Sequence, residues 1–226
     1  MTSTDASLRY IESEPRRTSD QTAPLLITFH GYGSHMGDLH ELRHVLDDRL
    51  HVVSAQAPID LGPSGMPGGW AWFDLLFTPG EGIGYDEPSA RRAVDLADAF
   101  VQQTMQRLGT EPDRLHLLGF SQGSMIAHAL LLRGSIPPSG VAACSGRLVD
   151  EIFADAPEPD RLQGRRLFVS HGRFDDVIPV TCGQDIRDWY QSTCIDLEYH
   201  EYDMGHGIDQ DCLQDLAAWI SRTLDG

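Results

Sequence analysis

A chain of 226 residues with 34 acidic and 17 basic side chains carries a formal charge of −17, and every one of those cations is arginine. The missing lysine excludes Schiff-base, pyridoxal-phosphate and P-loop chemistry, all of which need its amine, and the negative charge argues against a nucleic-acid partner, which binds by cationic neutralisation. Apolar residues at 41 % and charged residues at 23 % are a globular composition, and the length fits one domain with a full core.

The opening MTSTDASLRYIESEPRR has no apolar h-region and no run of 18 apolar residues occurs, so a cytoplasmic protein without stable membrane insertion is expected. Residues 1–7 and 13–23 read as irregular. In chain order, Leu8 to Glu12 alternates and suits a sheet edge, and Leu25 to Phe29 is a continuous apolar run, as in a strand buried on both faces. Asp38 to Arg49 reads as a helix with Leu39, Leu42, Val45 and Leu46 inward and His40, His44 and Asp47 on its polar side. A second buried strand, His51 to Ala55, follows.

Pro58 to Pro88 shows neither period. It is dense in Gly and Pro with an aromatic cluster, and loops of this length are usually functional, so it is expected to face a substrate. Pro88 to Leu108 then reads as a helix with Ala93, Val94, Ala97, Phe100, Val101 and Met105 inward, ended by Gly109. Strands at Leu115 to Leu118, Val141 to Cys144 and Leu167 to Ser170 alternate with helices at Gln122 to Arg133, Cys182 to Gln191 and Asp209 to Leu224. Leu197 to Tyr202 alternates and suits the other edge. This order predicts an α/β fold with a mostly parallel central sheet flanked by helices. Cys144, Cys182, Cys194 and Cys212 form no CxxC pair and read as reduced thiols, with Cys144 in a buried strand.

Gly119-Phe120-Ser121-Gln122-Gly123 matches G-x-S-x-G between a strand and a helix. Two glycines let the chain turn sharply and leave the serine hydroxyl exposed at the turn. That hydroxyl needs a base, and the base needs an orienting carboxylate. Asp175 in the loop after Leu167 to Ser170, and His206 in the glycine-flanked loop after Leu197 to Tyr202, follow in that order. All three fall at strand C-termini, where open α/β sheets place their sites. The Gln122 N–H after the serine and the Tyr32 N–H in His30-Gly31-Tyr32-Gly33 are the expected donors to an oxyanion.

HGYG at 30–33, WFDL at 72–75, GFSQG at 119–123, HGRFDDVIP at 171–179 and MGH at 204–206, in that order, resemble the phospholipase/carboxylesterase family of small α/β-hydrolases, which includes acyl-protein thioesterases. The resemblance implies an α/β-hydrolase fold as a single domain over 1–226 with no separate cap, and a serine carboxylesterase that needs no metal or organic cofactor. It makes Asp175, and not Asp176, the acid beside Ser121 and His206, keeps Tyr32 and Gln122 as oxyanion donors, and places Trp72 and Phe73 at the substrate. The expected substrate is a small-molecule acyl ester or thioester, or a lysophospholipid. The bulky Tyr32 and the different loop beyond it, HGYGSHMGD, narrow the acyl pocket, so a long-chain preference is not carried over.

Two other classes compete. His40-Glu41-Leu42-Arg43-His44 reads H-E-x-x-H, which on a helix offers zinc two histidines one turn apart. A third ligand is not evident in the sequence, and the charged Arg43 departs from that pattern. The other alternative is a non-catalytic binding protein on a hydrolase scaffold.

Overall fold

The five apolar runs form the middle of one seven-stranded sheet in a computed structural model that describes residues 8–17, 22–78, 82–148 and 159–225. In chain order the first elements are β1 (Tyr10–Ser13), β2 (Leu25–Phe29), α1 (Gly37–His40) and β3 (His51–Ala55). Two short ladders follow, β4 (Ile59–Asp60) with β5 (Trp70–Ala71) and β6 (Leu75–Thr78) with β7 (Gly82–Tyr85). Next come α2 (Glu87–Leu108), β8 (Leu115–Phe120), α3 (Gln122–Arg133), β9 (Gly140–Cys144) and α4 (Pro159–Leu162). The chain finishes with β10 (Arg166–Gly172), α5 (Val180–Gln191), β11 (Asp196–Tyr202) and α6 (Gln210–Leu224).

The sheet order is β1-β3-β2-β8-β9-β10-β11, with β1 antiparallel to β3 and every other pair parallel. All five residues of β2 and of β9 are buried, as continuous apolar strands require, whereas the edge strands β1 and β11 are exposed or half-buried along their length. Successive side chains serve opposite faces. Leu25, Ile27 and Phe29 join a core with Ala97, Phe100, Ile126 and Ile186, while Leu26 joins a second core with Leu39, Leu216 and Trp219. Helices α2, α3 and α5 therefore cover one face and α1 and α6 the other. Each large side chain so buried contributes roughly 1.5–3 kcal/mol.

Helix α2 follows its apolar spacing, with Ala93, Ala97, Phe100, Val101 and Met105 buried, although Val94 is only half-buried. Asp86 caps it by accepting from Ser89 N at 2.8 Å, and Gly109 ends it in the left-handed region at φ 64°.

Three expectations need correction. Asp38 to Arg49 is not one helix, because α1 gives way to a 3₁₀ turn over Glu41–His44. That turn rotates successive side chains by roughly 20° more per residue than an α-helix. Val45, just beyond that turn, consequently points out, 55 % exposed, while His40, the last residue of α1, points inward between Ser13 and Ser54. Pro58 to Pro88 holds the two short ladders, whose two- and four-residue strands are too brief to show a period. Ser13, read as irregular, closes β1, while residues 1–7 and 18–21 lie outside the described set.

Candidate active site

Strand β8 ends at Phe120 and α3 begins at Gln122, so Ser121 alone makes the turn, with φ 53° and ψ −118°. A side chain held there stores about 1–3 kcal/mol of backbone strain. The flanking glycines have separate steric causes. A Cβ on Gly119 would overlap the Gly123 carbonyl, and one on Gly123 would overlap the Phe29 carbonyl at the end of β2. The turn is thus clamped between its own helix and the neighbouring strand. Ser124 Oγ donates to the Ser121 carbonyl at 2.7 Å and closes the first helical turn.

His206 lies in the loop between β11 and α6. Its Nε2 is 2.9 Å from Ser121 Oγ, and its Nδ1 is 2.7 Å from Asp175 Oδ2. A carboxylate only accepts, so Nδ1 carries the imidazole proton and Nε2 takes the hydroxyl hydrogen bond. The Phe120 ring packs on the imidazole with centroids 4.9 Å apart. Ser121 is 8 % exposed and the Asp175 side chain is fully buried.

Asp175 is held by its own loop. Its Oδ1 accepts from Val177 N at 2.9 Å and Ile178 N at 2.8 Å, leaving Oδ2 for His206. The buried His171, 3.5 Å from Oδ2, bonds through Nε2 to the Ile178 carbonyl at 2.8 Å and braces the same turn. Asp176 is exposed and takes no part in these bonds. The acid loop is tied to the histidine loop by Arg173 N to Tyr202 O and Phe174 N to Met204 O, at 2.8 and 3.0 Å. Gly172 permits that approach, since a Cβ there would overlap the Met204 and Gly205 carbonyls.

The segment after β2 lies across from Ser121. Gly31 packs against Phe120 and the Ser121 Cβ, and among the described residues no internal acceptor meets the Tyr32 N–H. His30 is buried with both ring nitrogens engaged. Nδ1 donates to the Gly31 carbonyl at 2.7 Å, and Nε2 faces Gln56 Nε2 at 3.0 Å and accepts from Ala57 N at 3.2 Å. Desolvation lowers its pKa to about 4, so the ring is neutral and Nδ1–H is fixed on the Gly31 carbonyl. That carbonyl belongs to the peptide unit whose other end is the Tyr32 N–H.

Ser121, His206, Asp175, Tyr32 and Gln122 are thus brought together at the C-terminal ends of β8, β10, β11 and β2. Trp72 and Phe73, expected against a substrate, are each 1 % exposed. Trp72 Nε1 donates to the His30 carbonyl at 2.8 Å, and Phe73 packs on Tyr85 with centroids 5.8 Å apart. Neither offers surface to a ligand in this conformation; both brace the site from behind. The sequence reading also missed His171 and the clamp at His30. Each is the histidine of a His-Gly pair at a strand end, and that recurrence was the available signal.

The H-E-x-x-H string does not form a metal pair. His40 Nε2 is 2.9 Å from Ser13 Oγ and Nδ1 is 2.9 Å from Ser54 Oγ, while His44 stands on the surface. Among the described residues no group of three His, Cys, Asp or Glu is arranged to hold a metal ion, and no helix is long and apolar enough to cross a membrane.

Residues 14–224 match the Phospholipase/Carboxylesterase family. Acyl-protein thioesterase 1 of Saccharomyces cerevisiae is 26 % identical over 159 residues, covering 68 % of this chain and 69 % of that protein. Lysophospholipase-like protein 1 of Mus musculus is 25 % identical over 215 residues, 89 % of this chain and 87 % of its own. Among solved structures, esterase PE8 superposes with a TM-score of 0.81 at 28 % identity, covering 96 % of this chain and 99 % of that one. The Bacillus cereus carboxylesterase reaches the same TM-score at 18 % identity over 97 % and 96 % of the two chains, a likeness of fold. The protein has the α/β-hydrolase fold and belongs to the phospholipase/carboxylesterase family.

Proposed function

We propose that this protein is a serine carboxylic ester hydrolase, working as a single domain through an acyl-serine intermediate. The observation that carries the reading is the continuous series Ser121 Oγ, His206 Nε2, His206 Nδ1, Asp175 Oδ2, with steps of 2.9 and 2.7 Å across the ring. Ser121 Oγ attacks the acyl carbonyl carbon as its proton passes to His206 Nε2. The carbonyl oxygen becomes an oxyanion and receives the N–H groups of Tyr32 and Gln122. Asp175 holds the imidazole by Nδ1–H and stabilises its cation. As the tetrahedral intermediate collapses, His206 returns the proton to the departing alcohol or thiol and leaves acyl-Ser121. Water, deprotonated by the same nitrogen, then releases the carboxylic acid and restores the hydroxyl.

The substrate class is a small acyl ester or thioester, which the thioesterase, carboxylesterase and lysophospholipase-like names of the relatives support. The charge of −17 favours neutral or cationic acyl donors over anionic ones. The reading includes a cytoplasmic location.

Intact-mass measurement after exposure to a fluorophosphonate tests the reading. One adduct per chain is expected on the wild type and none on Ser121→Ala, with kcat of that variant lower by about 10³ or more. Labelling at another residue, or a Ser121→Ala variant that keeps most of its esterase activity, overturns it. A chelator leaves both results unchanged.

A further inference from the structure

The segment from Trp70 to Phe73 joins the two loops that carry the oxyanion donors. Gln122 reaches it from the first turn of α3: its Oε1 accepts from Trp72 N at 2.8 Å, and its Nε2 donates to the Phe73 carbonyl at 2.7 Å. Both bonds are buried. They use the side-chain amide in both senses, so its orientation is fixed by two backbone partners. The Trp72 indole then turns to the other loop and donates to the His30 carbonyl at 2.8 Å, with its ring edge-on to Phe29 at 5.3 Å. Two residues earlier, Gly33 N donates to the Trp70 carbonyl and Trp70 N donates to the Ser34 carbonyl, each at 2.9 Å. A strut of four residues is therefore bonded twice to Gln122 and three times to the loop around Tyr32.

Gln122 has two separable parts in this arrangement. Its backbone N–H faces the reacting oxygen, and its side chain holds the strut that sets the place of the other donor. We propose that the Gln122 side chain, acting through Trp72, is a positioning group that fixes the spacing and direction of the Tyr32 and Gln122 N–H groups. This rests on the serine-hydrolase reading above. Oxyanion donors act only when they point at the place where charge develops, and a shift of about 1 Å in such a group lowers the rate about 10²-fold. Without the amide, Trp72 N–H and the Phe73 carbonyl are left as buried polar groups that must find new partners. The strut then moves, and the Tyr32 peptide moves with it.

Gln122→Met keeps the backbone N–H and the side-chain length and removes both bonds. Trp72→Phe keeps an aromatic ring and the backbone N–H to Gln122 and removes the indole bond to His30 together with part of the ring that packs on Phe29 and His30. Both are compared with wild type on a nitrophenyl acetate ester, with rates normalised to the sites that a fluorophosphonate titrates. Affinity for a trifluoromethyl ketone, whose adduct on Ser121 carries the oxyanion, is measured alongside. Gln122→Met is expected to lower kcat about 10- to 100-fold with KM within about twofold, and to weaken the ketone by the same factor as kcat/KM. Trp72→Phe moves both quantities in the same direction by less. A loss of folding stability alone changes the number of titratable sites and not the rate per site.

A rate per titrated site within about twofold of wild type in Gln122→Met overturns the proposal, as does a raised KM with unchanged kcat and ketone affinity. If Gln122→Met does not fold, Trp72→Phe decides by the same criteria. Failure of the underlying reading is recognised separately, because the wild type then takes no adduct on Ser121.

Discussion

The α-carbon of Gly123 lies against the carbonyl of Phe29, so that a methyl group on it would overlap that oxygen and crowd the His30 carbonyl as well. The second glycine of G-x-S-x-G is thus a distance requirement between α3 and β2, independent of backbone angle. Gly123→Ala is expected to lower stability by about 1–3 kcal/mol and to reduce kcat by more than tenfold, as α3 is pushed from the loop carrying Tyr32. Gly207→Ala, whose Cβ would meet nothing within 4 Å, is expected to stay close to wild type in stability. Urea unfolding and steady-state kinetics on the two variants check the contrast, and equal stabilities would contradict it.

Two adjacent aspartates differ completely in surroundings. Asp175 accepts from Val177 N, Ile178 N and His206 Nδ1, and Asp176 is exposed. Asp175→Asn is expected to lower kcat by on the order of 10³–10⁴, because the amide no longer favours the proton on Nδ1. Asp176→Asn should remain within about twofold. Comparing kcat of the two purified variants is sufficient, and the reverse ranking would move the acid by one residue.

Acid stability should be governed first by buried histidines. Burial lowers His30 and His116 to about 4 and His128 to about 3, from an ordinary value of 6.5. In this window the unfolded chain binds protons that the folded chain refuses, so stability is full above pH 6.5 and falls as the pH drops toward 4. Each such histidine steepens the fall by about 1.4 kcal/mol per pH unit. Urea midpoints measured from pH 7 to pH 4 should show the decline, and His128→Gln should flatten it by one histidine's share. A wild-type stability constant across that range would show that these side chains are protonated in the fold.

His40 and His44 separate in the same way. His40 sits between Ser13 and Ser54, and Ser54 Oγ also accepts from Thr28 Oγ1 at 2.8 Å, so His40→Ala breaks a buried polar chain and should destabilise by about 1–3 kcal/mol. His44→Ala should change stability by less than about 0.5 kcal/mol and leave kcat unchanged. Thermal unfolding and an esterase assay on both decide. A loss of activity on His44→Ala that zinc restores would revive the metal reading.

The sheet was legible because its strands are short apolar runs with abrupt ends: Leu25–Phe29 and His51–Ala55 have the bounds that the sequence suggested. The helix at 38–49 was not, since a 3₁₀ turn and an α-turn share the same apolar spacing over four residues and diverge only in where the fifth side chain points. Ser121, Asp175 and His206 could be picked out because each follows a strand and stands among glycines. The bracing role of Trp72 was not legible. The family resemblance put it at the substrate, whereas its indole N–H has an acceptor inside the protein, and no local pattern encodes a bond between residues 42 positions apart.

Every residue of α3 from Gln122 to Leu132 is buried. Beyond its first turn, its amide protons should therefore exchange with solvent only when the whole molecule opens, whereas the half-exposed loop around His206 exchanges through local opening. Ser121 is mounted on the better-buried unit and its histidine on a more exposed one. On heating, the two are expected to separate before the fold is lost, so inactivation should set in below the unfolding transition and reverse on cooling.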